Sequence, residues 1–223
     1  MIRTGLLASA QIGVVMAGVT LVGFEAIEPG TEIARHWTIN GEPDRFSPRN
    51  EALLALPALG ALMTVLFTVF AATGWQTRAL RESRGLFLAG WIGSLALLTV
   101  AQAGLVYANA GAASGELAQL PMKAVLAGAS LLLIVIGNFL GKSRPNWVIG
   151  VRNPWTLRNE RAWRASNRVA GWLFVATGAI ALAILLMGST KLGTAVLVGG
   201  AISTAVVATG VSVQVFRAER AES

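Results

Sequence analysis

Two stretches of this chain carry side chains with chemistry to offer. In the first, HWTINGEPDRF at residues 36 to 46, the single histidine, His36, stands close to Glu42 and Asp44, a donor set that a metal ion could use. The carboxylates lack ligand spacing, whereas Asn40-Gly41 with Pro43 and Pro48 is a strong turn signal. A hydrogen-bonded turn is the better reading, and no metal is expected. In the second stretch, residues 141 to 168, seven cations (Lys142, Arg144, Arg152, Arg158, Arg161, Arg164 and Arg168) surround one acid, Glu160. A lone carboxylate among arginines reads as a member of an ion pair, and Glu160 to Arg164 has the i,i+4 spacing. There is no Ser-His-Asp set, zinc motif or phosphate-binding loop, and the absence of cysteine excludes thiolate chemistry and disulfides. No catalytic residue, no cofactor and no enzymatic activity are expected.

The elements that must position these stretches follow from composition. Of the 223 residues, 54% are hydrophobic and 13% charged, about half the charge of a soluble globular protein, which is about 25%. Lipid is therefore the main solvent. Apolar segments at about 4–27, 52–74, 85–108, 121–140, 169–187 and 192–215 are each long enough to cross a hydrocarbon layer of roughly 30 Å. In lipid a helix satisfies its own backbone, so the fold class is all-α: a polytopic membrane helical bundle of six transmembrane helices. The first span is read as a retained anchor rather than a signal peptide, since no clear small-residue cleavage motif follows it. An N-in/C-in orientation places 13 of the 18 Lys and Arg on the cytoplasmic side and seven of the 11 acids outside. The net charge of +7 is thus an orientation signal, and no specific nucleic acid partner is expected. The chain divides into an amino-terminal membrane region, 1–115, with the outer HWTINGEPD loop, and a second membrane region, 116–223, with the basic cytoplasmic loop.

Within the basic block, Pro145, Gly150 and Pro154 break the chain into short rigid pieces. Thr156 is a candidate helix cap, and LRNERAWRASNR reads as a short amphipathic surface helix running into the fifth span, with Arg161, Trp163 and Arg164 near the headgroups. Trp147, Trp155 and Trp163 among the cations suit a membrane interface, as Trp37 and Phe46 do on the other side. Gly137 and Gly141 give a small-xxx-small spacing for helix contact. Under a transport reading, Gln102 and Asn138 are candidates to line a path. The tail FRAERAES is expected to be exposed.

The segment 137–171, GNFLGKSRPNWVIGVRNPWTLRNERAWRASNRVAG, closely resembles the signature of the SdpI family of bacterial integral membrane proteins, with its GK-RPN-W-GIR-PWTL run followed by N-E--W. Lys142, Arg144, Pro145, Asn146, Arg152, Pro154, Trp155, Asn159, Glu160 and Trp163 are among the residues that fit it. HWTINGEPDRF resembles the H-N--G-PD loop of a domain of unknown function that often precedes the SdpI-type region. Two positions depart: Ala34 stands where a proline is common, and Asn167 where histidine is frequent, so no proton switch operates at that position. The resemblance implies a multi-pass protein of the bacterial cytoplasmic (inner) membrane that confers immunity to, or senses, a membrane-active antimicrobial peptide. It further implies outer recognition of a secreted peptide toxin by His36, Asn40, Gly41, Glu42, Pro43 and Asp44. A cytoplasmic regulatory protein or membrane lipid would meet the inner set just named. The alternative is a small-solute transporter or permeation protein.

Overall fold

A computed structural model describes residues 1–38, 42–73, 78–111 and 119–222. The described residues form six long helices, α1 (Ile2–Ala26), α2 (Arg49–Ala72), α4 (Arg84–Asn109), α5 (Leu120–Leu140), α7 (Glu160–Leu186) and α8 (Thr190–Glu222). Two short helices, α3 (Arg78–Glu82) and α6 (Pro154–Arg158), and one hairpin, β1 (Glu32–Trp37) and β2 (Pro43–Pro48), complete them. All six long helices are apolar and long enough to cross a membrane. Helices α1, α2 and α4 pack on one another, α7 packs on α5 and α8, and α4 joins α5.

The bundle is built for lipid rather than water. Along α1 the buried positions are Gly5, Ser9, Met16, Thr20 and Gly23, while Leu7, Val14, Val15, Leu21 and Val22 face outward. Small residues inside let backbones approach, and branched apolar residues outside meet acyl chains. Gly5 lies flat against Trp91, whose ring a Cβ there would overlap at 2.3 Å. Trp91 in turn stacks on Phe67 at 5.6 Å and meets Phe87 edge-on at 6.0 Å, closing the core of the first three spans.

Pro57 shows how this interior handles a missing donor. Lacking an N–H, it leaves the Leu53 carbonyl one turn earlier without its helical partner. Gln102 of α4, fully buried, donates from Nε2 to that carbonyl at 2.9 Å and to Thr20 Oγ1 of α1 at 2.9 Å. One side chain thus ties three helices at the point where one of them is broken.

The HWTINGEPD loop departs from a simple turn: its flanks pair as antiparallel strands, with Ile33 opposite Ser47 and Ala34 opposite Phe46, and irregularities between Ala34 and Trp37. Ile33 and Ala34 are buried over the ends of α2 and α4. Asn109, in the last turn of α4, accepts from Ala34 N and donates to Ala34 O, both at 2.9 Å, as a neighbouring strand would. Arg49, the first residue of α2, donates to Ile27 O at 2.6 Å and Phe24 O at 3.3 Å, capping the carboxyl end of α1. Two other boundaries move from the sequence reading. The fifth span begins at Glu160 because the amphipathic segment is continuous with it, and α8 runs on to Glu222, where Arg217, Ala218, Arg220 and Ala221 are exposed as expected.

A double-mutant cycle tests the Gln102 contact. Gln102→Leu is expected to lower unfolding free energy in detergent or bicelles by about 1 kcal/mol, the usual scale of an interhelical hydrogen bond in a membrane protein. In a Pro57→Ala background, where the helix supplies its own donor to Leu53, the loss should shrink clearly. Equal losses in both backgrounds would remove the proposed link.

Candidate functional site

The basic polar block between α5 and α7 is held together by amides. Asn146, buried, folds the chain over itself: its Oδ1 accepts from Val148 N at 2.9 Å and Ile149 N at 2.8 Å while Nδ2 donates to Arg144 O at 2.7 Å. Gly150 follows with φ +120°, where a Cβ would sit 2.9 Å from both Asn167 Oδ1 and the Trp163 ring. Asn167, fully buried on α7, accepts from Val151 N at 2.8 Å and donates to Trp163 O at 3.0 Å. The amide thus supplies a fixed donor and acceptor beneath the loop.

Asn153 is the true cap of α6. Its Oδ1 accepts from Trp155 N at 3.2 Å and Thr156 N at 2.9 Å, and the Thr156 hydroxyl accepts from Asn153 N at 2.9 Å. Thr156, expected as the cap, is therefore the other half of a capping box. Pro154 sits at the first helical position, which suits its fixed φ and missing N–H. Asn159 ends α6 and caps α7 by accepting from Ala162 N at 2.8 Å. From α8, Ser212 Oγ accepts from Asn153 at 2.9 Å, and Glu219 accepts from Asn159 and pairs with Arg161 at 3.5 Å. The carboxyl-terminal helix thereby acts as a strut beside the block.

Charge is arranged around this frame. Arg144 bridges Glu82 at 3.2 Å and Glu160 at 3.3 Å, and Glu160 also meets Arg164 at 3.6 Å. These groups are about half exposed, so the pairs orient more than they stabilise. Arg152 donates to Trp147 O at 2.6 Å, while Trp147 itself is exposed. Trp163 corrects the expectation of a headgroup contact: it is fully buried beneath the loop, with Nε1 donating to Ser143 O at 3.0 Å. An indole that has an internal partner and a ring packed on Gly150 serves the loop as a floor. Asn146 is likewise internal, whereas Lys142, Arg144, Arg152, Pro154 and Glu160 are exposed, and Pro145, Trp155 and Asn159 are partly so.

At the other end, His36 Nδ1 and Asp44 Oδ1 meet at 2.6 Å across the hairpin. Both are exposed, as are Glu42 and Pro43, and the Glu42 carbonyl accepts from Thr38 N at 2.8 Å. Asn40 and Gly41 lie outside the described residues. Among the described residues no three His, Asp or Glu side chains gather as a metal site would require. Beneath β1 lies a hollow of 280 Å³ with a polar rim, Arg35, His36 and Trp37, and apolar walls that include Leu56, Leu105, Met122 and Val125. Sequence reasoning missed this hollow, because its walls come from β1, α2, α4 and α5. It also anticipated Trp37 as an anchor, whereas Trp37 is half-buried at the rim and Phe46 is the exposed ring. Gln102 and Asn138 do not share a path: Gln102 is committed to Thr20 and Leu53, and Asn138 is exposed on the outer face of α5.

The Asn167 contact has a local readout. Asn167→Ala removes the side-chain acceptor of Val151 N and leaves that donor short of a partner, a loss of about 1–3 kcal/mol. Amide exchange at residues 148–152 should accelerate strongly while exchange within α1 and α2 stays unchanged. Uniform protection across both regions would show that the loop is held by other contacts.

Residues 142–214 match the family model described as the SdpI/YfhL protein family, and residues 30–61 match a domain of unknown function, DUF1648. The first match takes in the amide-built loop, α6, α7 and most of α8; the second takes in the hairpin and the first half of α2. Immunity protein SdpI of Bacillus subtilis (strain 168) is 40% identical over 53 residues, 24% of this chain and 26% of that protein. The matched stretch thus spans about a quarter of the curated relative's length. No solved structure matches the chain. Six apolar helices and a polar loop of this sequence make the chain a multi-pass bacterial membrane protein whose residues 142–214 match the SdpI/YfhL family model.

Proposed function

We propose that this protein confers immunity to a membrane-active antimicrobial peptide, and that it does so by binding rather than by catalysis. The observation that carries the reading is the hollow under the hairpin: an apolar recess with Arg35, His36 and Trp37 at its rim, open at one end of the bundle. An amphipathic peptide arriving at the membrane surface offers an apolar side chain for such a recess and polar groups for its rim. The kinship with an immunity protein of Bacillus subtilis supports the same reading.

Orientation is part of the proposal. With both termini in the cytoplasm, the hairpin and its His36–Asp44 pair face the side from which a secreted peptide comes. The amide-built loop then faces the cytoplasm, where exposed Arg152, Arg158, Arg161 and Arg164 form a surface for an acidic regulatory protein. The amino-terminal region, 1–115, is the receiving half and 116–223 the half that presents the inner surface. Contact of α4 with α5 joins them.

Expression in a sensitive bacterium tests this directly. Wild-type protein is expected to raise survival against membrane-active peptides secreted by related bacteria. Ala108 of α4 also lines the hollow, and Ala108→Trp, which fills it, should weaken protection at equal membrane abundance by about tenfold, the equivalent of about 1.4 kcal/mol of binding. Failure of the wild type to protect against a broad peptide panel would overturn the immunity reading. Full protection by the filled variant would move recognition away from the hollow.

A further inference from the structure

Between α5 and α7, at the end of the bundle that carries the basic block, lies a groove of 610 Å³ lined by Gly137, Asn138, Gly141, Lys142, Arg168 and Trp172. Its floor is backbone. A Cβ on Gly137 would stand 2.6 Å from the Gly171 carbonyl, and one on Gly141 would stand 3.3 Å from the Arg168 Cα. The two helices therefore touch along glycines, and the larger side chains on either side become the walls. Lys142 and Arg168 are both exposed at one end, and neither has a carboxylate partner among the described residues. The Lys142 ammonium lies 5.7 Å from the centre of the Phe139 ring, which holds it near the groove.

The other end of the groove runs into hydrocarbon. Trp172, one turn beyond Arg168, is 74% exposed, and Leu131, Val135 and Ile180 continue the same outward faces of α5 and α7. Two cations without a carboxylate partner among the described residues, an exposed indole one turn further along α7 and an apolar channel beyond are complementary to one kind of molecule. We propose that this groove is a specific site for an anionic phospholipid, its phosphodiester between Lys142 and Arg168, with Asn138 as a further polar contact and an acyl chain along Trp172 and Val175. A soluble acidic protein offers the charge but has no reason to follow the groove into the bilayer. A zwitterionic lipid offers the chain but brings its own cation to meet these two. The site is separate from the hollow under the hairpin and does not rest on the immunity reading.

Tryptophan quenching by brominated lipids tests the assignment. Full-length protein is reconstituted in phosphatidylcholine vesicles containing rising fractions of brominated phosphatidylglycerol, and the contribution of Trp172 is taken as the difference from Trp172→Phe. Quenching should saturate at a low phosphatidylglycerol fraction. The midpoint should rise about fivefold in Arg168→Gln and about thirtyfold in Lys142→Gln/Arg168→Gln, on the scale of one basic side chain at an anionic surface. Arg45→Gln, which removes an exposed cation on the hairpin, outside the groove lining, should leave the midpoint in place, and circular dichroism of each variant checks folding. Equal quenching by brominated phosphatidylcholine, or an equal shift in Arg45→Gln, would overturn the proposal. Displacement of the lipid by inorganic phosphate would reduce the site to an anion site and overturn the lipid assignment.

Discussion

Helices α5 and α7 approach each other so closely that backbone meets backbone, and much of the second half of the chain follows from that contact. At Gly137 and Gly171 each Cβ position lies 2.6 Å from the other helix's carbonyl, and Gly178 stands at 2.5 Å from the Ser130 carbonyl in the same sense. In lipid there is no hydrophobic force to press helices together, so close packing of small residues must supply the attraction. The approach brings the end of α5 against the third turn of α7, which leaves the loop between them to form a compact cap. It also forces the groove open on the outer face, because glycines that allow contact leave nothing to fill the space beside them.

The cap above this contact solves a backbone problem. A polar loop pressed against the end of a membrane bundle holds amides and carbonyls that water reaches poorly, and each needs a partner. Asn146, Asn153, Asn159 and Asn167 supply those partners, each with an acceptor oxygen. An asparagine can accept and donate at once without bringing a charge into a half-buried place. The arginines are left to face outward, held by caps and turns that do not depend on them.

The first half of the chain answers the same demand with different means. Gln102 repairs the break made by Pro57, Asn109 completes the edge of the hairpin and Arg49 closes the end of α1. In each case a single polar side chain on one helix satisfies backbone on another element. The hairpin is thereby fixed over the hollow, with its exposed His36–Asp44 pair at the surface.

Amino-acid order alone determined the number of spans, and the lengths of the first four to within a few residues, because twenty apolar residues in lipid have one economical conformation; it also carried the resemblance of residues 142–214 to the SdpI/YfhL family, because the GK-RPN to PWTL run is long. It also made legible the i,i+4 pair of Glu160 and Arg164 and the small-residue contact at Gly137. It misplaced Trp163 and Thr156, since a tryptophan among arginines has the same composition whether it lies under a loop or on a membrane, and adjacent cap candidates differ only in geometry. Tertiary structure alone decided that Gln102 serves Leu53, that α8 reaches back to Asn159, and that four separate elements enclose a hollow. Local sequence fixes a helix because its hydrogen bonds are local; a groove or a shared carbonyl depends on residues brought together only when the helices pack.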